Sequence, residues 1–180
     1  MIINPREAIA NGWITGDITE DNIQPNGIDF TLDELYKLDR DANIFTLGTK
    51  TKKHAKWEKM VPYDALHKEK DVTVREQSYH LQPNSMYDFS SNMRAVLPAD
   101  GVAALLIVRS TLNRNGLFIT SGFYDSGFEG QISGMLRTSQ LGAVIARGAR
   151  IGQIIFMSSD AAKAYDGQYQ GIAGHWTEGK

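Results

Sequence analysis

Two short stretches carry the residues best suited to chemistry. Arg109-Ser-Thr-Leu-Asn-Arg-Asn-Gly116 packs two guanidinium groups and two hydroxyls into little more than one turn of chain. Arg109, Ser110, Thr111 and Arg114 are donors for an anion such as a triphosphate, and a helix starting there would add its first backbone N–H groups. On such a helix Ser110 and Arg114 stand four apart and share a face. The competing reading is a capped helix start with no ligand. Gly122-Phe-Tyr-Asp-Ser-Gly-Phe-Glu-Gly130 follows, with Asp125 eleven residues after Arg114. A carboxylate beside an apolar strand can serve as a general base toward water. A turn Asp can equally bond its own backbone. Gly122, Gly127 and Gly130 permit close backbone approach by a ligand. Phe128 can stack on a sugar or base, or pack in a core. Gln153 is polar within the apolar run Ile151-Gly-Gln-Ile-Ile-Phe-Met157 and needs a partner if buried.

The elements that must hold these groups read as β. Asn4-Pro5 opens a short N-terminal helix, Asn4 capping and Pro5 first, and Asn11-Gly12 ends it. Pro25-Asn-Gly27 is a turn, after which Ile28, Phe30 and Leu32 alternate as a strand. Asp29 then points away from that apolar face and reads as a solvated turn carboxylate. Residues 36–78 are poorly patterned. Their basic run 50–59 contains one aromatic, Trp57, and reads as a solvated hairpin or loop inserted on the scaffold. His54 and His67 sit in polar surroundings with nothing to mark them as ligands. Tyr79 to Phe89 reads as strand, Pro-Asn turn, strand. Val102 to Val108 is a continuous apolar run, as expected of a strand buried on both faces. Further strands are expected over 117–120, 127–136, 143–146 and 151–157. Short strands between turn signals, with little helix, predict a mainly β barrel or jelly roll.

Composition sets outer bounds. The chain has 180 residues, 42% hydrophobic and 22% charged, which suits one soluble domain spanning 1–180. A net charge of −2 gives no basic footprint for nucleic acid or an anionic membrane. With no cysteine, disulfides, thiolate metal sites and a Cys nucleophile are excluded, and a reducing cytosol suits the chain. No leader-like N-terminus is seen, and the longest apolar run is far too short to span a bilayer, so the expected location is cytoplasmic. The glycine- and aromatic-rich stretch from Ala164 reads as a frayed terminus or a C-terminal flap, 164–180, that orders over a ligand.

Taken together these motifs resemble the superfamily of dCTP deaminases and trimeric dUTPases. Arg109 to Leu117 looks like its phosphate-binding motif, and Gly122 to Gly130 like its nucleoside-binding hairpin and catalytic segment. Gly148-Ala-Arg-Ile-Gly-Gln-Ile-Ile-Phe156 looks like its strand bearing Arg and Gln. Asn26-Gly-Ile-Asp29 resembles its first motif, and Tyr165-Asp-Gly-Gln-Tyr-Gln-Gly171 the closing tail of the deaminase branch. The likeness runs in order from about residue 20 to 171, with 36–78 poorly matched. It implies a distorted β-barrel or jelly roll of the dUTPase-like (β-clip) type, assembled as a homotrimer or dimer of trimers with sites between subunits. It implies a deoxyribonucleoside triphosphate substrate and Mg²⁺ held mainly by the triphosphate, with no protein metal ligands.

The deaminase branch moves protons with a Glu late in the strand after Gly-Phe-Glu-Gly, and that position is Met135 here. Methionine cannot carry a proton. Glu129 lies six residues earlier, about 20 Å along an extended strand. Phe123 stands where that branch has an Arg, Gln168 where its tail has a Lys, and Ile172 where a Gln is expected. The dUTPase half is intact by resemblance. Asp125 matches the Asp that activates water, and Phe128 the aromatic that stacks on deoxyribose. Ser110, Arg114 and Gln153 match phosphate-end groups, with Arg109 and Thr111 beside them. Ile119 and Thr120 lie where backbone groups read the uracil edge, with Phe123, Tyr124 and the tail residues Tyr165, Gln168 and Tyr169 completing the pocket. The expected reaction is dUTP hydrolysis to dUMP and diphosphate. The alternatives are a dCTP deaminase or dCTP diphosphatase of the same fold, and a nucleotide-binding regulator without chemistry.

Overall fold

The computed structural model describes residues 1–39, 45–53, 55–69, 72–120 and 122–172. His54 and residues 173–180 of the expected flap lie outside the described residues. In chain order, helix α1 (Pro5–Ala10) precedes strand β1 (Ile14–Thr15), a 3-10 turn (Glu20–Asn22), β2 (Ile23–Gln24), β3 (Gly27–Thr31), β4 (Glu34–Leu38) and β5 (Thr46–Leu47). Then come β6 (Lys52–Lys53), β7 (Trp57–Lys59), β8 (Tyr63–Glu69), β9 (Val72–Leu81), β10 (Met86–Val96) and β11 (Val102–Val108). Helix α2 (Ser110–Arg114), β12 (Leu117–Ile119), β13 (Gly122–Tyr124), β14 (Glu129–Thr138), β15 (Ala143–Ala146) and β16 (Arg150–Ser158) complete the order.

Local chemistry accounts for the boundaries. The Asn4 side chain accepts the Arg6 N–H at 2.9 Å and caps α1, and Pro5 fills the first turn, where no donor is missed. The turn between β9 and β10 has Asn84 at φ 50°, tolerable for Asn. Thr138 locks this turn from the neighbouring strand: its hydroxyl donates to the Gln82 carbonyl at 2.6 Å and accepts the Ser85 N–H at 2.9 Å. β14 begins at Glu129 rather than Gly127, because Gly127 is drawn into the preceding turn.

The strands form two principal sheets. One runs β12-β14-β10-β4-β7, with β1 on β10; the other runs β13-β11-β16-β3-β2. Both are open paths packed face to face, and the stacked rings of Phe30 and Phe89, 5.7 Å apart, join them at the centre. Ile28, Phe30 and Leu32 are all fully buried, as their alternation predicts. Each such side chain contributes about 1.5–3 kcal/mol on burial. Gly152 in β16 is a packing requirement. A Cβ there would lie 2.0 Å from Phe30 Cζ and 2.8 Å from the Ile107 carbonyl oxygen. The fold is mainly β, as expected.

The poorly patterned region is not one loop. β4 pairs with β10 inside the first sheet, and β7 extends that sheet at its edge. β8 and β9 form a long hairpin, and β15 returns onto β9 to make a three-stranded sheet. β5 and β6 form a small separate ribbon. Among the described residues no helix is long and apolar enough to cross a membrane.

Candidate active site

The turn Asp125-Ser-Gly-Phe128 links β13 to β14. Its Phe128 N–H donates to the Asp125 carbonyl at 3.0 Å, and Gly127 supplies the required positive φ of 85°. Gly127 is also where the tail crosses: a Cβ would stand 2.9 Å from Ala164 Cβ. The Ser126 hydroxyl donates to the Val102 carbonyl at 2.7 Å, anchoring the turn to β11. The Asp125 side chain is thereby left exposed, and it makes no hydrogen bond or ion pair with another described residue.

Asp125 borders a cavity of about 910 Å³, large enough for a nucleoside. Phe123 and Tyr124 line it from β13, Phe128 from the turn, Gln131, Ser133 and Met135 from β14, and Met86 and Asp88 from β10. Phe128 meets Tyr124 and Tyr165 edge to face, at 4.8 and 5.5 Å between ring centroids. The Tyr124 hydroxyl donates to the Ser133 carbonyl and accepts the Ser133 N–H, both at 3.2 Å. Burial pushes its pKa up to about 12, and the Asp88 charge adds to the rise against the Ser133 bond. It is therefore a neutral donor–acceptor at physiological pH. Burial, helped by Tyr165 and Asp88, also raises the pKa of Tyr169.

The described part of the tail, up to Ile172, docks on this hairpin. Tyr165 N–H donates to the Ser126 carbonyl at 2.8 Å. Gln170 donates to the Gly127 carbonyl at 2.9 Å and accepts the Glu129 N–H at 3.1 Å. Gly171 N–H donates to the Glu129 carbonyl at 2.7 Å, and Gln131 N–H to the Ile172 carbonyl at 3.0 Å. Tyr165, Tyr169 and Ile172 thus line the cavity, while exposed Gln168 accepts from Lys52 Nζ at 2.6 Å. Glu129 itself pairs with Arg94 at 3.0 Å and does not line the cavity.

The expected phosphate-end residues gather elsewhere. α2 is a single turn with Ser110, Thr111 and Arg114 exposed, and Arg114 makes no ion pair with a described residue. Arg109 is engaged inward. Its Nε lies 3.1 Å from Asp29 Oδ2, and its Nη1 donates to the Arg150 carbonyl at 3.3 Å. Arg150 Nη1 is 3.6 Å from the same Asp29 oxygen, and Gln153 donates to Asp29 Oδ1 at 3.4 Å. The reading of Asp29 as a solvated turn carboxylate is corrected: it is 2% exposed. β3 is covered on both faces, so pointing away from Ile28 and Phe30 does not mean pointing to water. Burial raises the Asp29 pKa, against the pull of Arg109, Arg150 and Gln153. Asp29 Oδ2 lacks an aligned hydrogen bond, so the pairing is largely coulombic.

Of the expected site residues, Asp125, Phe123, Tyr124, Phe128, Tyr165 and Tyr169 meet at the cavity. Arg109, Ser110, Thr111, Arg114, Ile119, Thr120, Gln153 and Gln168 do not line it. Ile119 is buried, and the Thr120 N–H and hydroxyl both donate to the Met135 carbonyl, at 3.1 and 3.3 Å. His67 lies on the β8–β9 hairpin, 2.8 Å from the Ser78 hydroxyl.

Sequence reasoning missed Asp88, and also Phe45, Leu47, Lys52 and Trp57, which line the same cavity. Asp88 carried a usable signal: Tyr87 and Phe89 flank it, so alternation turns it to the opposite face. In the β10–β14 register it stands directly opposite Met135.

The residues 5–159 match the model of the dCTP deaminase-like family, and the chain belongs to that family. A probable deoxyuridine 5'-triphosphate nucleotidohydrolase of Halobacterium salinarum is 28% identical over 153 residues, covering 85% of this chain and 86% of that one. A dCTP deaminase of Sulfurisphaera tokodaii is 28% identical over 181 aligned positions, covering 97% and 90%. The crystal structure of 2'-deoxycytidine 5'-triphosphate deaminase from Agrobacterium tumefaciens shares the fold, with a TM-score of 0.60 at 20% identity. That match covers 86% of this chain, which spans about half, 47%, of the solved chain. The relatives support nucleotide hydrolysis or deamination as the kind of chemistry.

Proposed function

We propose that this protein hydrolyses dUTP to dUMP and diphosphate. The observation that carries the reading is that Asp125, exposed and without a hydrogen bond or ion pair among the described residues, shares one cavity with Met135. A water-activating carboxylate is present, whereas the strand position from which deaminases move a proton holds a thioether. In this reaction the Asp125 carboxylate takes a proton from water, whose oxygen attacks the α-phosphorus. The α–β bridging P–O bond then breaks and diphosphate leaves. Phe128 packs against deoxyribose, and Ser110 and Arg114 hold phosphates by charge-assisted hydrogen bonds. Arg109, tied to Asp29, stiffens the phosphate end. Hydrolysis in ¹⁸O-labelled water tests the chemistry: label in dUMP and none in diphosphate is expected, and label in diphosphate would refute attack at the α-phosphorus.

Ser110 and Arg114 do not line the cavity that Asp125 borders, which supports a homotrimer, or a dimer of trimers, with each site shared between subunits. Residues 1–180 act as one domain in this reading, 36–78 as its variable region and 164–180 as its closing flap. The cytoplasm, with its deoxynucleotide pool, is the proposed location. Among the described residues no three His, Asp or Glu side chains gather as a metal cage. Mg²⁺ carried on phosphate oxygens and water needs none, so the residues present fit a substrate-borne ion near Ser110 and Arg114. When bound, it neutralises phosphate charge.

One observation favours a second reading, a dCTP deaminase. Asp88 faces Met135 across the β10–β14 register and lines the cavity, so a carboxylate stands opposite that position on the neighbouring strand. If Asp88 carries that proton, ammonia release from dCTP disappears in Asp88→Asn while dUTP hydrolysis persists.

A further inference from the structure

Phe45, Leu47, Lys52 and Trp57 take no part in the reaction above, yet all four line the cavity with Asp125 and Phe128. The β5–β6 ribbon has two residues per strand and lies in neither principal sheet. A ribbon so short has little stability of its own. Leu47 in the ribbon and Phe45 just before it are nevertheless exposed, at 69% and 51%. Trp57 is held more firmly, because β7 pairs with β4 and sets Trp57 opposite Leu38. The Lys52–Gln168 bond at 2.6 Å joins this segment to the tail. Apolar and aromatic groups gathered on a nucleoside-sized cavity, with one cation beside them, fit a planar base on an anionic ligand.

Resting on the nucleotide reading, we propose that Phe45, Leu47, Lys52 and Trp57 form a second binding wall for the nucleotide. Trp57 and its apolar neighbours pack on the base and sugar. Lys52, released from Gln168 or shared with it, adds positive charge toward the phosphates. The variable region thereby contributes directly to affinity, and the ribbon and tail become ordered together by the same ligand.

The test uses full-length protein and α,β-imido-dUTP. Wild type is expected to bind it by calorimetry and to show quenched tryptophan emission. Part of that quench should be lost in Trp57→Phe, while Trp57→Ala binds about tenfold or more weakly. Lys52→Ala, at an exposed side chain, should also weaken binding, and its fold is not at risk. Unchanged affinity in both alanine variants, or a quench undiminished in Trp57→Phe, overturns the proposal and leaves dUTP hydrolysis standing. Failure of wild type to bind at all overturns the nucleotide reading first. A Trp57-dependent change in sedimentation without nucleotide would assign the wall to a second copy of the chain and overturn the proposal.

Discussion

Asp29 Oδ2 lies 3.1 Å from Arg109 Nε, so the first arginine of the phosphate-binding stretch is tied to a buried carboxylate on β3. Removing that carboxylate takes away the shared partner of Arg109 and Arg150, whose side chains are each about a third exposed. Asp29→Ala is expected to lose about 1–2 kcal/mol, less than a fully buried pair because the arginines reach solvent, read from urea unfolding. A loss near zero would mean that both arginines relax to water.

The same residue gives a pH dependence. Burial raises its pKa above the ordinary 3.8, so the native state holds the proton more tightly than the unfolded chain. Its stabilising contribution is fully present below 3.8 and is lost as pH rises through the elevated folded value. The stability difference between wild type and Asp29→Asn should therefore shrink with rising pH in that window and be flat above it. A difference that grows would show that the arginines outweigh burial.

Asp125→Asn keeps the size of the side chain and removes its basicity. Turnover should fall by about 10²–10⁴-fold while α,β-imido-dUTP still binds. Turnover preserved in the variant would remove Asp125 from the chemistry.

Gly152→Ala tests the inner packing. The added Cβ would lie 2.0 Å from Phe30 Cζ, so a cost of about 1–3 kcal/mol is expected from thermal or urea unfolding. An unchanged midpoint would show that Phe30 moves freely.

Ending the chain after Lys163 removes Tyr165 from Phe128 together with the bonds of Gln170 and Gly171. Tyr165 is only partly buried, so stability should fall by about 1–2 kcal/mol, whereas turnover should fall by about 10²-fold. Equal loss of both would make the tail a structural element only.

Local signals were legible wherever local chemistry decides the structure. The Asn4-Pro5 helix start, the Pro83-Asn84 turn and the buried strand at Val102 are set by near neighbours. Asp125 and Phe128 were legible because their glycine-flanked hairpin brings them to one cavity. Asp29 was misread because its partners, Arg109 and Arg150, come from remote strands. Residues 36–78 were opaque for a related reason. β4 and β7 are stabilised by the sheet they join, and β9 by β15, rather than by internal periodicity. Asp88 gained its meaning only from the register that sets it against Met135.

The most direct measurement is turnover of dUTP and dCTP with Mg²⁺, products separated by chromatography. The expected products are dUMP and diphosphate from dUTP, with dCTP unchanged. Formation of dUTP and ammonia from dCTP would contradict that expectation and move the catalytic proton to another residue, Asp88 first.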